Sequence, residues 1–216
     1  MVIEDLNKYR IILASRSPRR QELLRELGLN FEVVVRDWSE KYPDNLKGEE
    51  IPLYVAVEKA KTLRSEIKEN EIVITADTVV WFNNGILDKP IDKEDSRRII
   101  REISGNTHEV ITGVCLLSAT KQTSFYSSTK VTFSELSDDE IEYYISNFSP
   151  YDKAGAYGIQ EWIGLAACSH IEGSYFNVMG LPVEQVYREL QKFITPNPLK
   201  GAYINYNKKP PSGRRG

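Results

Sequence analysis

The chain has 216 residues, 41% hydrophobic and 27% charged, a balance that suits a globular protein with a substantial core and excludes a low-complexity chain. Lys and Arg total 28 against 31 Asp and Glu, a net charge of −3, which argues against a broad surface for long nucleic acid but allows a small anionic ligand in a local basic pocket. The N-terminus has neither a leader nor an anchor pattern and no apolar run approaches bilayer length, so no membrane partner is expected and the cytoplasm is the default location.

Ile11 to Ala14 reads as a short buried strand, broken by Ser15 to Ser17. Ser17 then suits an N-cap and Pro18 the first turn of a helix that carries Leu23, Leu24 and Leu27 on one face and stops at Gly28. Phe31 to Val35 reads as a second strand, followed by a polar loop from Arg36 to Glu50. Pro52 opens a helix expected to run to about Glu69. The β-branched run Ile72 to Phe82 is a good central strand, and Asn83-Asn84-Gly85 signals a hairpin into Ile86-Leu87. A helix from Asp92 to Ile103, strands at Glu109 to Leu117 and Thr123 to Phe133, and a helix from Ser137 to about Asn147 follow. Tyr151 to Gly180 is glycine-rich and reads as irregular, and Pro182 to Phe193 as a final helix. Helices alternate with strands around an antiparallel middle stretch, which implies an α/β fold with a twisted mixed β-sheet flanked by helices.

Four groups of residues carry chemistry. Ser15-Arg16-Ser17-Pro18-Arg19-Arg20 lies where a strand enters a helix, and free N–H groups, two hydroxyls and several guanidiniums there favour phosphate. An N-cap with solvated arginines is the plainer alternative, although cations oppose the dipole at that end of a helix. Asp77-Thr78 interrupts an apolar strand, where a carboxylate is costly unless it is paired, metal-bound or facing solvent. Glu40, Lys59 and Lys89 are scattered charges that spacing alone does not unite. Asp152 to Gln160 holds glycines that permit close backbone approach to a ligand, and Gln160 is able to read a base edge. Cys115 and Cys168 read as buried, inert thiols, and His108 and His170 as structural. No Gly-x-x-x-x-Gly-Lys-Ser/Thr loop is present.

Together these segments resemble the Maf family of nucleotide pyrophosphatases. The resemblance rests on Leu13 to Leu24, Ala76-Asp77-Thr78-Val79-Val80, Asp88-Lys89-Pro90, Ser104 to His108, Tyr151 to Gln160, and Gly173-Ser174-Tyr175 with Gly180-Leu181-Pro182. It covers about Ile11 to Phe193. It implies two lobes with a central cleft in an ITPase-like arrangement, one catalytic domain over residues 1–195, and a flexible tail over 196–216. It also implies hydrolysis of a nucleoside triphosphate to the monophosphate and pyrophosphate, the activity of a nucleotide diphosphatase. Arg19, Thr78 and Gln160 stand at the three positions that separate the family's branches and match the dTTP/UTP type. The methylated-GTP branch differs at all three. Arg16 departs from the small residue that the family often carries.

In that frame Asp77 is the expected proton acceptor for the attacking water. Ser15, Ser17, Arg20, Lys59 and Lys89 would bind the phosphates. Glu40 and Asp77 would hold Mg2+ or Mn2+. Arg19, Thr78 and Gln160 would select the base. The partner is then a nucleoside triphosphate, and the resemblance also allows a homodimer. The competing expectations are a pyrophosphatase for methylated GTP or other modified nucleotides, and a nucleotide-binding regulator of cell division without turnover.

Overall fold

A computed structural model describes residues 2–36 and 41–195. Glu40 and the tail at 196–216 lie outside the described residues. In chain order the elements are α1 (Val2–Leu6), β1 (Arg10–Leu13), α2 (Pro18–Glu26), β2 (Phe31–Val33), α3 (Glu50–Lys61), β3 (Glu71–Phe82), β4 (Gly85–Leu87) and α4 (Lys93–Ile103). They continue with β5 (Thr107–Leu117), β6 (Gln122–Phe133), α5 (Asp138–Phe148), two single 3-10 turns at Pro150–Asp152 and Ala154–Ala156, α6 (Trp162–Ala166), β7 (Cys168–Glu172), α7 (Tyr175–Val178) and α8 (Val183–Ile194). None of the described helices is long and apolar enough to cross a membrane.

The strands form one mixed sheet in the order β2-β1-β3-β5-β6-β7, with β4 also paired to β3. β1 runs parallel to β2 and β3, and the remaining pairs are antiparallel. The α/β architecture with a twisted mixed sheet flanked by helices is therefore present. Local chemistry explains most elements. Ser17 caps α2, accepting from the Arg20 amide at 3.4 Å. Asp92 caps α4, and Ser137 with Glu140 forms a reciprocal capping box on α5. Asn83 and Asn84 take φ of 48° and 61°, the left-handed pair that a two-residue hairpin turn requires and asparagine tolerates.

Three expectations are corrected. α3 starts at Glu50 and ends at Lys61, well short of Glu69. Its continuation tightens into i→i+3 bonds, with Leu63, Arg64 and Glu66 donating to Ala60, Lys61 and Leu63, and the Thr62 hydroxyl bonds back to Lys59 O at 2.8 Å. This brings the chain round to Glu71 at the start of β3. The stretch read as irregular also contains α6, β7 and α7. β7 is an edge strand with largely exposed side chains, so it lacks the apolar alternation that marks a strand. The thiols also differ: Cys115 is buried and pushed up to about 11 by that burial, whereas Cys168 on β7 is partly exposed.

The core divides into two lobes that share β3 and β5. In one, β1, α2 and α8 pack around Leu13, Leu23, Leu24, Ile74, Leu116 and Leu190. In the other, α4, α5 and the loop after α5 pack on Val80, Val110, Phe133 and Tyr157. On the opposite face of the sheet α3 lies against Val73 and Cys115 through Ala56, Ala60 and Leu63. The Thr75 hydroxyl donates to Ala56 O at 2.6 Å. The approach is closest at Gly113, where an added Cβ would lie 2.4 Å from the backbone of Pro52 and Leu53. Gly113 pairs directly with Asp77 on β3.

Gly113→Ala is expected to push α3 off the sheet and to destabilise the fold by about 1–3 kcal/mol, as overpacking does. Denaturant titration of the variant and the parent protein measures this, and an unchanged midpoint would mean that α3 does not sit as described.

Candidate active site

β3 outruns its neighbour. β1 pairs with it only as far as Leu13 opposite Ile74, with one further bond from Ala14 N to Ile74 O at 2.9 Å. β4 takes up the same edge of β3 only at Val80. Between these points residues 75–79 border an opening in the sheet, and the cavity lies there. It has a volume of about 750 Å³, within the range of pockets that bury small ligands.

Alternation along β3 sends neighbouring side chains to opposite faces. Asp77 points to the α3 side, where its Oδ1 accepts from Lys59 Nζ at 2.7 Å, and each side chain keeps 20% of its surface exposed. Thr78 points to the other side, where its hydroxyl accepts from Arg20 Nη2 at 2.9 Å and lies 2.9 Å from the Thr112 hydroxyl.

Arg20 holds this region together. Its Nε donates to Gly180 O at 2.8 Å, and its Nη1 donates to Ala76 O at 2.9 Å and to the Ser15 hydroxyl at 3.3 Å. The guanidinium thus braces the open edge of β3, the entry to α2 and the loop before α8. Gly180 takes φ +114°, a conformation that glycine supplies without strain. The loop carrying Gly180 is anchored by Asn177, which is wholly buried and donates to Val110 O at 2.9 Å and to the Thr129 hydroxyl at 3.0 Å.

The entry to α2 forms the next wall. Ser17 N donates to the Ser15 hydroxyl at 3.2 Å, and Ser15 is 92% buried, with 8% of its surface exposed. Arg19 reaches across to Asp152, with Nη1 and Oδ2 3.2 Å apart. Lys89, two residues beyond β4, and Gln160 line the remaining sides. Ser15, Ser17, Arg19, Arg20, Lys59, Asp77, Thr78, Lys89 and Gln160, dispersed over 146 positions of sequence (from 15 to 160, inclusive), all border this one cavity. Glu40 lies outside the described residues.

Sequence reading gave no role to Arg36, Tyr42, Asp88 or Lys153, which also line the cavity. Asp88 and Lys153 stood inside quoted motifs, whereas nothing in the polar loop marked Arg36 or Tyr42. Burial first, and then the carboxylates of Asp88, Asp77 and Asp44, raise the Tyr42 hydroxyl above its ordinary value. His108 is structural. Its Nε2 lies 2.7 Å from the Tyr157 hydroxyl, and burial lowers its pKa to about 4, so it supports the loop that carries Gln160 as a neutral imidazole.

Among the described residues the cavity lining has seven basic side chains (Arg16, Arg19, Arg20, Arg36, Lys59, Lys89, Lys153) against three acidic ones (Asp77, Asp88, Asp152), although the chain as a whole is net negative. Such a lining concentrates positive potential and suits a polyanion of small size. Among the described residues the lining has carboxylate oxygens but no imidazole or thiol, a donor set that suits a hard divalent cation such as Mg2+ or Mn2+. Among the described residues no three acidic, histidine or cysteine side chains cluster as a ready-made metal site, so phosphate oxygens of a bound ligand would have to complete the coordination.

Residues 10–193 match the family model described as Maf-like protein. A dTTP/UTP pyrophosphatase of Phocaeicola vulgatus is 55% identical over 192 residues, covering 88% of this chain and 100% of that protein. One of Flavobacterium johnsoniae, carrying the same description, is 52% identical over 194 residues, covering 90% and 100%. Among solved structures, a nucleoside-triphosphatase / dITP/XTP pyrophosphatase from Mycobacterium abscessus aligns over 88% of this chain and 99% of its own, with 12% identity and a TM-score of 0.40. Since the family match runs from β1 into α8 and takes in every side chain just described around the cavity, the chain belongs to the Maf family.

Proposed function

We propose that the protein is a nucleoside triphosphate pyrophosphatase that hydrolyses dTTP and UTP to the monophosphate and pyrophosphate in the cytoplasm, with Mg2+ or Mn2+. The observation that carries this reading is the opening beside β3, where the Asp77–Lys59 pair and the N-terminus of α2 face one cation-lined cavity. The names of the two relatives support the substrates.

Phosphoryl transfer needs positioning and charge stabilisation more than covalent help. Asp77 is the group in reach of a water entering from the open edge, and its free carboxylate oxygen accepts the proton as that water attacks the α-phosphate. Lys59, donating to the other oxygen, fixes the carboxylate's orientation and adds positive charge beside the phosphates. A divalent cation held by Asp77 and Glu40 together with phosphate oxygens would ease deprotonation of water and neutralise charge. Lys89 and the amides and hydroxyls at the start of α2, around Ser15 and Ser17, stabilise the departing pyrophosphate. Arg20 contributes charge to the same wall, but its donors to Ala76, Ser15, Thr78 and Gly180 make it chiefly the brace that holds Thr78 and the α2 entry in place.

Gln160 is exposed on the cavity side of a turn. A carboxamide donates and accepts at once, which matches the carbonyl and N–H edge that uracil and thymine share. The methyl group that separates the two bases lies off that edge, so both nucleotides are accepted.

Asp77→Asn is expected to lower kcat for dTTP by about 10²–10⁴-fold while circular dichroism shows the fold unchanged. Retention of the parent rate would remove Asp77 from the role of base. Gln160→Glu is expected to lower kcat/KM for UTP and dTTP by about 10–100-fold, because a carboxylate is unable to donate to a base carbonyl. A panel of nucleoside triphosphates reads this, and undiminished preference for the two pyrimidines would reject base reading by Gln160.

A further inference from the structure

Gln160 has a support that the reading above does not use. It occupies the third position of a turn closed by Glu161 N donating to Gly158 O at 3.0 Å. Both ends of that turn meet one hydroxyl. Tyr144 on α5, which is wholly buried, accepts from Gly158 N at 3.0 Å and donates to the Glu161 carboxylate. Gly158 leaves the room for this: a Cβ there would lie 2.8 Å from the Glu161 carboxyl carbon.

The second Glu161 oxygen faces Lys153 Nζ at 3.2 Å, and Lys153, with 9% of its side chain exposed, also bonds Asp152 Oδ1 at 2.7 Å. The far oxygen of Asp152 meets Arg19. A series of hydrogen bonds and one ion pair, between Lys153 and Glu161, therefore joins Arg19 on α2 to the turn that presents Gln160 and ends on α5. Tyr144, Glu161 and Lys153 are well enclosed, and charge-assisted bonds there hold their partners in one geometry, whereas Asp152, 61% exposed, makes the last link to Arg19 beside solvent.

We propose that Tyr144, Glu161 and Lys153 are positioning residues for base selection: they clamp the turn that presents Gln160 and couple it to Arg19 on the opposite wall of the cavity. The proposal rests on the reading of this cavity as a site for UTP and dTTP. The clamp makes base recognition a property of a fixed pair of walls, since movement of the turn by a fraction of an ångström would misplace the Gln160 amide against the imide edge.

The test compares UTP with CTP, which differ on that edge, in the full-length parent protein, in Glu161→Gln and Tyr144→Phe, and in each of these combined with Gln160→Ala. Glu161→Gln keeps the shape but is unable to accept from both Tyr144 and Lys153, and Tyr144→Phe leaves Gly158 N without its acceptor. Each single variant is expected to lower the UTP/CTP ratio of kcat/KM by about tenfold, mainly through the KM for UTP. In the Gln160→Ala background neither is expected to lower it further. Thermal melts of every variant accompany the kinetics; loss of stability that lowers both nucleotides in proportion leaves the ratio unchanged and counts against the proposal. A ratio unaltered in both single variants, or one that falls equally far without Gln160, would overturn it. If the parent protein shows no preference for UTP over CTP, the base reading itself fails and the clamp's role falls with it. If the preference is present and the single variants keep it, only the clamp is wrong.

Discussion

The twelve residues of β3 have only four residues of β1 beside them, and the site follows from that mismatch. An uncovered strand edge presents backbone groups that need partners. Here part of that need is met by Arg20, whose guanidinium binds Ala76 O in the opening left between β1 and β4. The same side chain reaches Ser15, Thr78 and Gly180, so closing the edge also fixes the α2 entry and the loop before α8. Because strand alternation puts Asp77 and Thr78 on opposite faces, the opening presents a carboxylate paired with Lys59 on the α3 side and a hydroxyl engaged with Arg20 on the other.

The electrostatics of the molecule are local. A chain with net charge −3 repels long polyanions in general, yet its cavity gathers cations from the entry and first turn of α2, from α3, from the segment after β4 and from the loop after α5. Several of them are held by carboxylates: Lys59 by Asp77, Arg19 by Asp152, and Lys153 by Asp152 and Glu161. Paired in this way, the cations keep fixed positions before any ligand arrives, and fixed charge in a partly enclosed site acts more strongly than mobile charge in water. The cationic end suits phosphates, while the turn holding Gln160 offers neutral hydrogen-bonding groups suited to a base.

Much of this was legible in the sequence where the signal is local. Ser17-Pro18 marks a helix entrance, two asparagines before Gly85 mark a tight hairpin, and an aspartate within a β-branched run marks a carboxylate in need of a partner, which Lys59 supplies. The motifs around Asp77, Lys89 and Gln160 identified the family, but spacing alone did not bring Lys59 to Asp77. That contact depends on α3 lying close on the sheet at Gly113 and on the Thr75 bond to Ala56, both long-range features. The end of α3 was missed because helix-forming residues continue past Lys61 while the backbone turns towards β3. β7 was missed because an exposed edge strand has no apolar face to declare it. The family resemblance implied that Arg20 is a phosphate ligand; its engagement with protein acceptors on Ala76, Ser15, Thr78 and Gly180 is visible only once β3, the α2 entry and Gly180 are seen together.

What the opening beside β3 must do, if it is a catalytic site, is direct water to one particular phosphorus. Hydrolysis of UTP in 18O-labelled water, with mass analysis of both products, measures that choice directly. Attack at the α-phosphate from the Asp77 side places the label in UMP and leaves pyrophosphate unlabelled. Label in pyrophosphate, or release of labelled orthophosphate with UDP, would show that the nucleotide lies in the cavity in another way and that Asp77 does not face the reacting phosphorus.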